Sequence, residues 1–213
     1  MLFPENNTMD AKTFELLTEK QLNIRSAPAS YEKDDAHHSR YEPTSYRVLK
    51  RLCESGYIDK NSRLIDYGSG KGRVSFYVHH ALGAATIGIE YNEKLYMDAV
   101  ENLSRYPLRN DRCAPVFLLE NAENHIVTDE THFYFFNPFS EKILRSVLNR
   151  IFESCFVTPR KVRLFFYYPT DSYLTCLMTD DRLKYEGEID TSDLFDAGDE
   201  HEKIVIFTSS GQI

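Results

Sequence analysis

The sequence of 213 residues contains no tryptophan, only four cysteines, and no apolar run approaching the roughly 20 residues that span a bilayer. The cysteines are scattered, which excludes a zinc ribbon, a CxxC redox motif and a dense disulfide framework. They are Cys53, Cys113, Cys155 and Cys176. The first ten residues are polar and lack the apolar segment of a secretory signal. These absences predict a cytoplasmic protein with reduced thiols and no membrane partner.

The chain also lacks an excess of basic charge. Its 25 Lys and Arg against 33 Asp and Glu give a net charge of -8. Ten acidic residues against two basic ones lie between positions 180 and 202, so this stretch alone carries -8, and we interpret it as a solvated acidic edge. One modest basic patch lies in the segment 142–163. Without a broad cationic field to hold a phosphate backbone, duplex nucleic acid is not expected as a partner.

The hydrophobic pattern changes after about residue 45. Residues 1–45 are polar, with one short helical pattern and a proline-containing loop, and are interpreted as an N-terminal helical and loop extension. From residue 46 onward, short apolar segments alternate with helical patterns. Five of these segments are predicted as strands, at 63–67, 85–90, 115–119, 133–136 and 162–168. Two more predicted strands, 183–189 and 203–208, can pair antiparallel at the sheet edge.

This alternation predicts an α/β fold with a Rossmann-like, seven-stranded sheet. The sheet is expected to be mostly parallel, with an antiparallel last pair of strands and helices on both faces. Ligands of such sheets bind in the crevice beyond the carboxyl ends of the strands. We therefore predict one catalytic domain, residues 46–213, and look for site residues directly after each strand.

The first predicted strand ends in a glycine-rich segment, residues 66–73, in which three glycines follow Asp66 at alternate positions. Glycine lets the backbone turn sharply and approach a ligand, since no Cβ intervenes. The second strand ends in Glu90, 18 residues after the last glycine, where a carboxylate can accept both hydroxyls of a ribose. The spacing is GxGxG, which is neither the dinucleotide-binding GxGxxG nor the phosphate-binding GxxxxGK[ST]. The sequence therefore predicts a nucleoside ligand without a pyrophosphate.

These motifs resemble a known family. Segment 66–73 followed by Glu90 is similar to the first two motifs of the class I S-adenosylmethionine-dependent methyltransferases. Segments 40–46, 66–73 and 134–140 together resemble a family of small bacterial members of that class. The resemblance covers roughly residue 41 to the C-terminus. It implies S-adenosyl-L-methionine as the cofactor and methyl transfer as the activity, and it leaves the methyl acceptor unknown.

The resemblance also implies roles for individual residues in cofactor binding. Asp66 and the glycine loop would hold the methionine end, Glu90 the ribose and Tyr91 the adenine. Asn121 stands where the superfamily often has Asp, and would meet the adenine amino group. The residues expected to bind the cofactor are Asp66, Gly68, Ser69, Gly70, Gly72, Glu90, Tyr91, Asn121 and Ala122.

The segment after the fourth strand bears on the acceptor. Asn137, Pro138 and Phe139 resemble the Asn-Pro-Pro-aromatic motif of methyltransferases that act on planar amino groups, with one proline only and the aromatic residue one place early. The resemblance implies that Asn137 positions an acceptor, which an amino group would suit, and that Pro138 and Phe139 contact it. Tyr41 and Thr44 are expected to contribute to the substrate site from a lid over the cofactor.

Two other functions stay open on the sequence alone. A nicotinamide-dependent oxidoreductase shares the acidic residue after the second strand, but the GxGxG spacing and the antiparallel last strands argue against it. A non-catalytic module would keep the cofactor pocket for regulation or assembly. No metal site is predicted, because the adjacent pairs His37-His38 and His79-His80 are poorly placed to chelate one ion.

Overall fold

The computed structural model describes residues 9–27, 41–108, 113–196 and 199–210. Residues 1–8 and 28–40, including Arg40 and the pair His37-His38, lie outside these ranges. The helices are α1 (Ala11–Leu22), α2 (Tyr46–Glu54), α3 (Arg73–Leu82), α4 (Glu93–Arg105), α5 (Glu141–Val157) and α6 (Asp171–Met178). The strands are β1 (Arg63–Tyr67), β2 (Ala85–Glu90), β3 (Val116–Leu119), β4 (His132–Phe135), β5 (Arg163–Tyr167), β6 (Leu183–Asp190) and β7 (Lys203–Ser209).

The strands form one seven-stranded sheet in the order β3-β2-β1-β4-β5-β7-β6. Strands β1 to β5 are parallel, and β7 runs antiparallel to both of its neighbours, β5 and β6. The predicted fold class is therefore confirmed. The strand order reverses between β1 and β4, and this reversal opens a crevice at their carboxyl ends.

The two faces of the sheet are covered by separate hydrophobic clusters. One contains the apolar side of α5 and α6, and the other contains residues of α1, α2 and α3. In the centre, Tyr67, Phe135 and Phe166 occupy equivalent positions of β1, β4 and β5. Their ring centroids are 5.2 and 4.7 Å apart. This buried aromatic row brings the ends of β1, β4 and β5 level at the crevice.

The described part of the N-terminal extension packs on the rest of the chain. Phe14 and Leu22 of α1 are buried in the same cluster as Leu49 of α2 and Tyr77 of α3. The boundary at residue 45 stays a prediction. No helix within the described ranges is long and apolar enough to cross a membrane.

Part of the acidic stretch is paired with the basic patch rather than solvated. Glu186 accepts from Arg163 at 2.8 Å and lies 3.1 Å from Lys161, because β6 folds back to the sheet near those residues. Asp193 pairs with Arg51 of α2. The basic patch is thus partly neutralised at Lys161 and Arg163.

Candidate functional site

A cavity of about 280 Å³ lies at the carboxyl ends of β1, β2, β3 and β4. Its walls come from five separate parts of the chain, which only the parallel sheet brings together. Of the fourteen predicted site residues, eleven line it. They are Tyr41, Thr44, Asp66, Gly68, Ser69, Glu90, Tyr91, Asn121, Ala122, Pro138 and Phe139.

The glycine loop forms one wall and is held against the end of β2. The amides of Gly68 and Ser69 both donate to the carbonyl of Ile89, at 2.9 and 3.0 Å. Gly68 has a φ of 74°, and a Cβ there would lie 2.4 Å from the Cβ of Pro138. The loop after β1 and the loop after β4 can approach this closely only because position 68 has no side chain.

Glu90 fixes two loops of the cavity at once. Its Oε2 accepts from the amide of Gly70 at 2.8 Å, and its Oε1 accepts from the amide of Asn92 at 2.8 Å. The residue is only 6% exposed. Glu90 also belongs to the wall of the cavity. Glu90 is therefore placed both to shape the cavity and to accept from a ligand.

Polar atoms at the cavity lack partners within the described ranges. They are Oδ2 of Asp66, Oγ of Ser69 and the hydroxyl of Tyr67. Burial, together with the charge of Glu90, raises the pKa of Asp66 to about 8. A buried polar group without a partner costs about 1–3 kcal/mol, so such groups at a cavity indicate a ligand.

The loop after β3 gives Asn121 a structural role, and its predicted contact with the adenine stays a prediction. Asn121 accepts from the amide of Glu123 at 3.0 Å and caps the short 3₁₀ helix Ala122–Asn124. Its side-chain oxygen thus already has a structural partner. Glu120 also lines the cavity and lies 2.8 Å from Nδ1 of His125. Glu120 was not among the predicted site residues, although it directly follows β3, where such residues were expected.

Gly70 and Gly72 stand behind the cavity wall. Gly72 begins α3 with a φ of 86°, and a Cβ there would lie 2.5 Å from the ring of Phe117. A Cβ at Gly70, where φ is 54°, would lie 2.2 Å from the ring of Tyr41. That the backbone of Gly70 and Gly72 contacts a ligand stays a prediction. Packing already explains why neither position carries a side chain, because a Cβ would collide with Tyr41 or Phe117.

A strap of residues 41–45 closes one side of the cavity. The Tyr41 hydroxyl donates to the carbonyl of Ser26 at 2.6 Å, and its ring covers Gly70. The hydroxyls of Thr44 and Tyr134 are 3.0 Å apart. The strap is therefore attached to both the glycine loop and β4.

Substituting Gly70 by alanine is expected to displace this strap. The new methyl group would collide with Tyr41, and the left-handed backbone costs a residue with Cβ about 1–2 kcal/mol in addition. Gly56→Ala is the matched control, because Gly56 has a φ of 80° and no heavy atom within 4 Å of its would-be Cβ among the described residues. Thermal unfolding of the two variants should show a clearly larger loss for Gly70→Ala. Equal losses would contradict the packing role of Tyr41.

Arg73, which follows the last glycine, was not singled out from the sequence. Its guanidinium lies 2.6 Å from Glu15 and 3.2 Å from Glu19 of α1, and Nε donates to Ser26 at 2.7 Å. It also donates to the carbonyl of Thr44 at 3.2 Å. The i,i+4 spacing of the two glutamates was an available signal that they share one helix face. Arg73 connects α1, the strap and the glycine loop.

Asn137 lies at the end of β4 but does not line this cavity. Its φ is 41°, and its Nδ2 donates to the carbonyl of Tyr168 at 2.5 Å. Tyr168, at the end of β5, has a φ of 49°. Non-glycine residues in this region are uncommon and occur often at functional sites. Both residues line an adjoining cavity of about 530 Å³, which shares Glu42, Pro43 and Phe136 with the first.

Phe139 has a structural role besides lining the first cavity. Its ring packs edge-on against Tyr67 and Phe135, at 6.4 and 6.2 Å. Its carbonyl accepts from the hydroxyl of Tyr173 at 2.5 Å. Residues 137–139 are therefore divided: Pro138 and Phe139 face the first cavity, and Asn137 faces the second.

Comparisons with known proteins bear on the fold. No protein-family model and no curated protein matches the sequence. A SAM-dependent methyltransferase from Methanosarcina mazei is 15% identical, with a TM-score of 0.55 over 72% of this chain and 94% of that one. The chain has a methyltransferase fold. An RNA methyltransferase from Salinibacter ruber in complex with S-adenosyl-L-homocysteine is 18% identical, with a TM-score of 0.50 over 79% and 92%. The mitomycin 7-O-methyltransferase is 14% identical, with a TM-score of 0.55 over 78% and 53%.

This methyltransferase fold is shared by enzymes that act on different acceptors, RNA and a small molecule among them. At such low identities the likeness extends to the architecture and not to the acceptor. Within the described ranges, no group of three or more His, Cys, Asp or Glu side chains could hold a metal ion.

Proposed function

We propose that this protein is an S-adenosylmethionine-dependent methyltransferase. The observation that carries the proposal is the buried carboxyl of Asp66, whose Oδ2 has no partner in the described ranges although it belongs to the wall of the crevice cavity. It stands at the end of β1 beside Glu90, at the point where the strand order reverses in a methyltransferase fold.

The residues present suit this cofactor. Two neighbouring acids in a buried cavity favour a ligand with positive charge, and S-adenosylmethionine carries an ammonium and a sulfonium. Asp66 and Ser69 would hold the methionine end, and Glu90 the ribose hydroxyls. Tyr91 and Ala122 would face the adenine. The capped side chain of Asn121 makes it the weaker candidate for the adenine amino group.

When bound, the cofactor supplies a methyl group on a sulfonium, which is a good leaving group. The task of the protein is then mainly to hold the acceptor in line with that group, and orientation can supply about 7–11 kcal/mol of the barrier. In this proposal Asn137 positions the acceptor, and Pro43 and Phe136 lie between the two cavities. No dedicated base is needed for an acceptor whose lone pair is already available.

Calorimetric titration with S-adenosylhomocysteine and with NADH tests the proposal. We expect binding of the first and none of the second, because the loop after β1 has the GxGxG spacing. Tight NADH binding would instead support the oxidoreductase. Binding of S-adenosylhomocysteine without methyl transfer to any acceptor tried would favour the non-catalytic module.

The affinity for S-adenosylhomocysteine is expected to rise with pH between about 6 and 7.5. Asp66 has a pKa of about 8 in the folded protein, raised by burial and by Glu90, and its ionised form is the one that attracts the ligand ammonium. Below this pKa each pH unit should weaken binding about tenfold. Asp66→Asn is expected to bind more weakly at pH 7.5 and to lose this dependence.

The same variant serves as the control for titration of the ligand itself, whose ammonium is unchanged by the substitution.

The stability of the ligand-free protein should respond to pH in the opposite direction. A carboxyl whose pKa rises from 3.8 to about 8 on folding stabilises the protein below pH 4, and this contribution is lost as the pH increases through 8. Without ligand, the melting temperature of wild type should therefore fall more steeply over this range than that of Asp66→Asn. Parallel curves would show that Asp66 is ordinarily ionised.

A further inference from the structure

The second cavity adjoins the proposed cofactor cavity at the ends of β4 and β5. Glu42, Pro43 and Phe136 belong to the walls of both cavities, so a molecule in the second lies next to the first. The hydrogen bond from Asn137 to the Tyr168 carbonyl joins the two loops that form its floor. If the first cavity holds the cofactor as proposed, the second cavity lies where a methyl acceptor would bind.

Charge in this second cavity has one sign. Glu42 and Glu202 line it, and none of its ten lining residues is Lys or Arg. Asp199 stands behind the wall and accepts from the hydroxyl of Tyr168. Burial raises the pKa of Glu202, the hydrogen bond from Tyr167 lowers it, and the charges of Asp199 and Glu42 raise it further. The nearby Lys203 instead lies 3.5 Å from Glu188 on β6.

Aromatic rings form much of the remaining wall. They are Phe136, Tyr167, Tyr168 and Phe195. The rings of Phe136 and Tyr167 lie 4.7 Å apart, and the Tyr167 hydroxyl donates to Glu202 at 2.7 Å. An aromatic face attracts a cation and also packs against a planar or apolar group. Here aromatic faces and a carboxylate stand side by side in one cavity.

We propose that the second cavity binds the methyl acceptor and that the acceptor is a compact amine on a planar or apolar body, which binds as its ammonium cation. The ammonium gives up one proton to a carboxylate of the cavity, Glu42 or Glu202, before its nitrogen lone pair attacks the methyl group, and the cofactor leaves as S-adenosylhomocysteine. The proposal rests on the proposed function and specifies its substrate class. A phosphate-bearing acceptor, RNA included, would bring its charge against Glu42, Glu202 and Asp199, and like charges across an interface oppose binding.

Three probes of similar shape test the proposal on the protein saturated with S-adenosylhomocysteine. They are 2-phenylethylamine as the cation, 2-phenylethanol as the neutral analogue and 3-phenylpropanoate as the anion. The amine is expected to bind at least tenfold more tightly than the alcohol, and the anion more weakly than both. Equal affinities for amine and alcohol, or preference for the anion, would overturn the proposal.

Three variants test whether the carboxylates that line the second cavity cause the preference for the amine. Glu202→Gln should reduce amine affinity about tenfold and leave the alcohol unchanged, since glutamine keeps an acceptor for Tyr167. Glu42→Gln, on the exposed side of the strap, is a second variant that does not depend on a buried position. Glu200→Gln removes the same charge from the same loop without lining the cavity, and should change neither affinity. Similar effects in Glu200→Gln and Glu202→Gln would show that net charge, rather than the cavity, attracts the amine.

Two further measurements separate this proposal from the one on which it rests. The first repeats the probe series without S-adenosylhomocysteine and tests the preference of the second cavity alone. The second is the titration with S-adenosylhomocysteine: absence of binding would contradict the proposed function, while the preference for the amine would still be decided by the probe series. A short single-stranded RNA that displaces the amine and binds more tightly would identify nucleic acid as the acceptor class and overturn the inference.

Discussion

Glu90→Ala is expected to weaken binding of S-adenosylhomocysteine at least a hundredfold. In the proposed function this carboxylate accepts both ribose hydroxyls, and hydrogen bonds to charged groups contribute about 1.5–3 kcal/mol each. Two such bonds correspond to more than two orders of magnitude in Kd. The substitution also removes the acceptor of the Gly70 and Asn92 amides, so the loops that form the cavity should loosen. Calorimetric titration measures the affinity.

Two other variants control this measurement. Glu93→Ala removes the same charge from an exposed position at the start of α4, outside the cavity, and should bind as wild type does. Glu90→Gln keeps one acceptor oxygen and should lie between wild type and Glu90→Ala. A folded Glu90→Ala protein with wild-type affinity would exclude the ribose role.

Arg73→Met is expected to lower the free energy of unfolding by about 3 kcal/mol. Removing one partner of a buried ion pair typically costs about 3–5 kcal/mol, because the remaining charge loses its counterion. The Arg73 side chain is 7% exposed, but Glu15 and Glu19 are 28% and 18% exposed, which places the expectation at the low end. Denaturant unfolding measures the loss, and hydrogen exchange should show reduced protection of α1.

Arg63→Met is the matched control. Arg63 pairs with Asp129 at 2.9 Å on the surface, where both side chains are about half exposed. Exposed pairs contribute about 0–1 kcal/mol, so this variant should remain near wild-type stability. If both arginine variants lost the same small amount, Arg73 would not hold α1 and the strap to the glycine loop.

The predicted strands agree well with the structure, and the differences have a local cause. The bounds of β1 and β2 were predicted to the residue. The prediction extended β4 to Phe136, but the strand ends at Phe135. Phe136 is apolar because it packs against Tyr167, while the following residue, Asn137, already has a left-handed backbone. A hydrophobic pattern follows burial, and Phe136 is still partly buried although it lies past the end of the strand.

The candidate site was predictable where a residue lies at or just past the carboxyl end of a strand. Asp66, Glu90 and Pro138 meet in one cavity because parallel strands end at the same sheet edge. The contact between Arg73 and α1 was not predictable, since it joins residues 54 to 58 positions apart in the sequence. The acidic and aromatic cavity was missed for the same reason: Glu42, Phe136 and Glu202 are far apart in sequence.

The alternation of strands and helices, the glycine loop and the acid that ends β2 could be predicted from the sequence, because they depend on local periodicity and on the residues that a turn can accept. Which polar groups remain unsatisfied, and how residues 137–139 are divided between two cavities, became known only from the folded protein. Both depend on distances between chain segments that become neighbours when the sheet forms. Asp66 illustrates the difference: its place at the end of β1 can be predicted from the sequence, while its raised pKa comes from burial beside Glu90 in the folded protein.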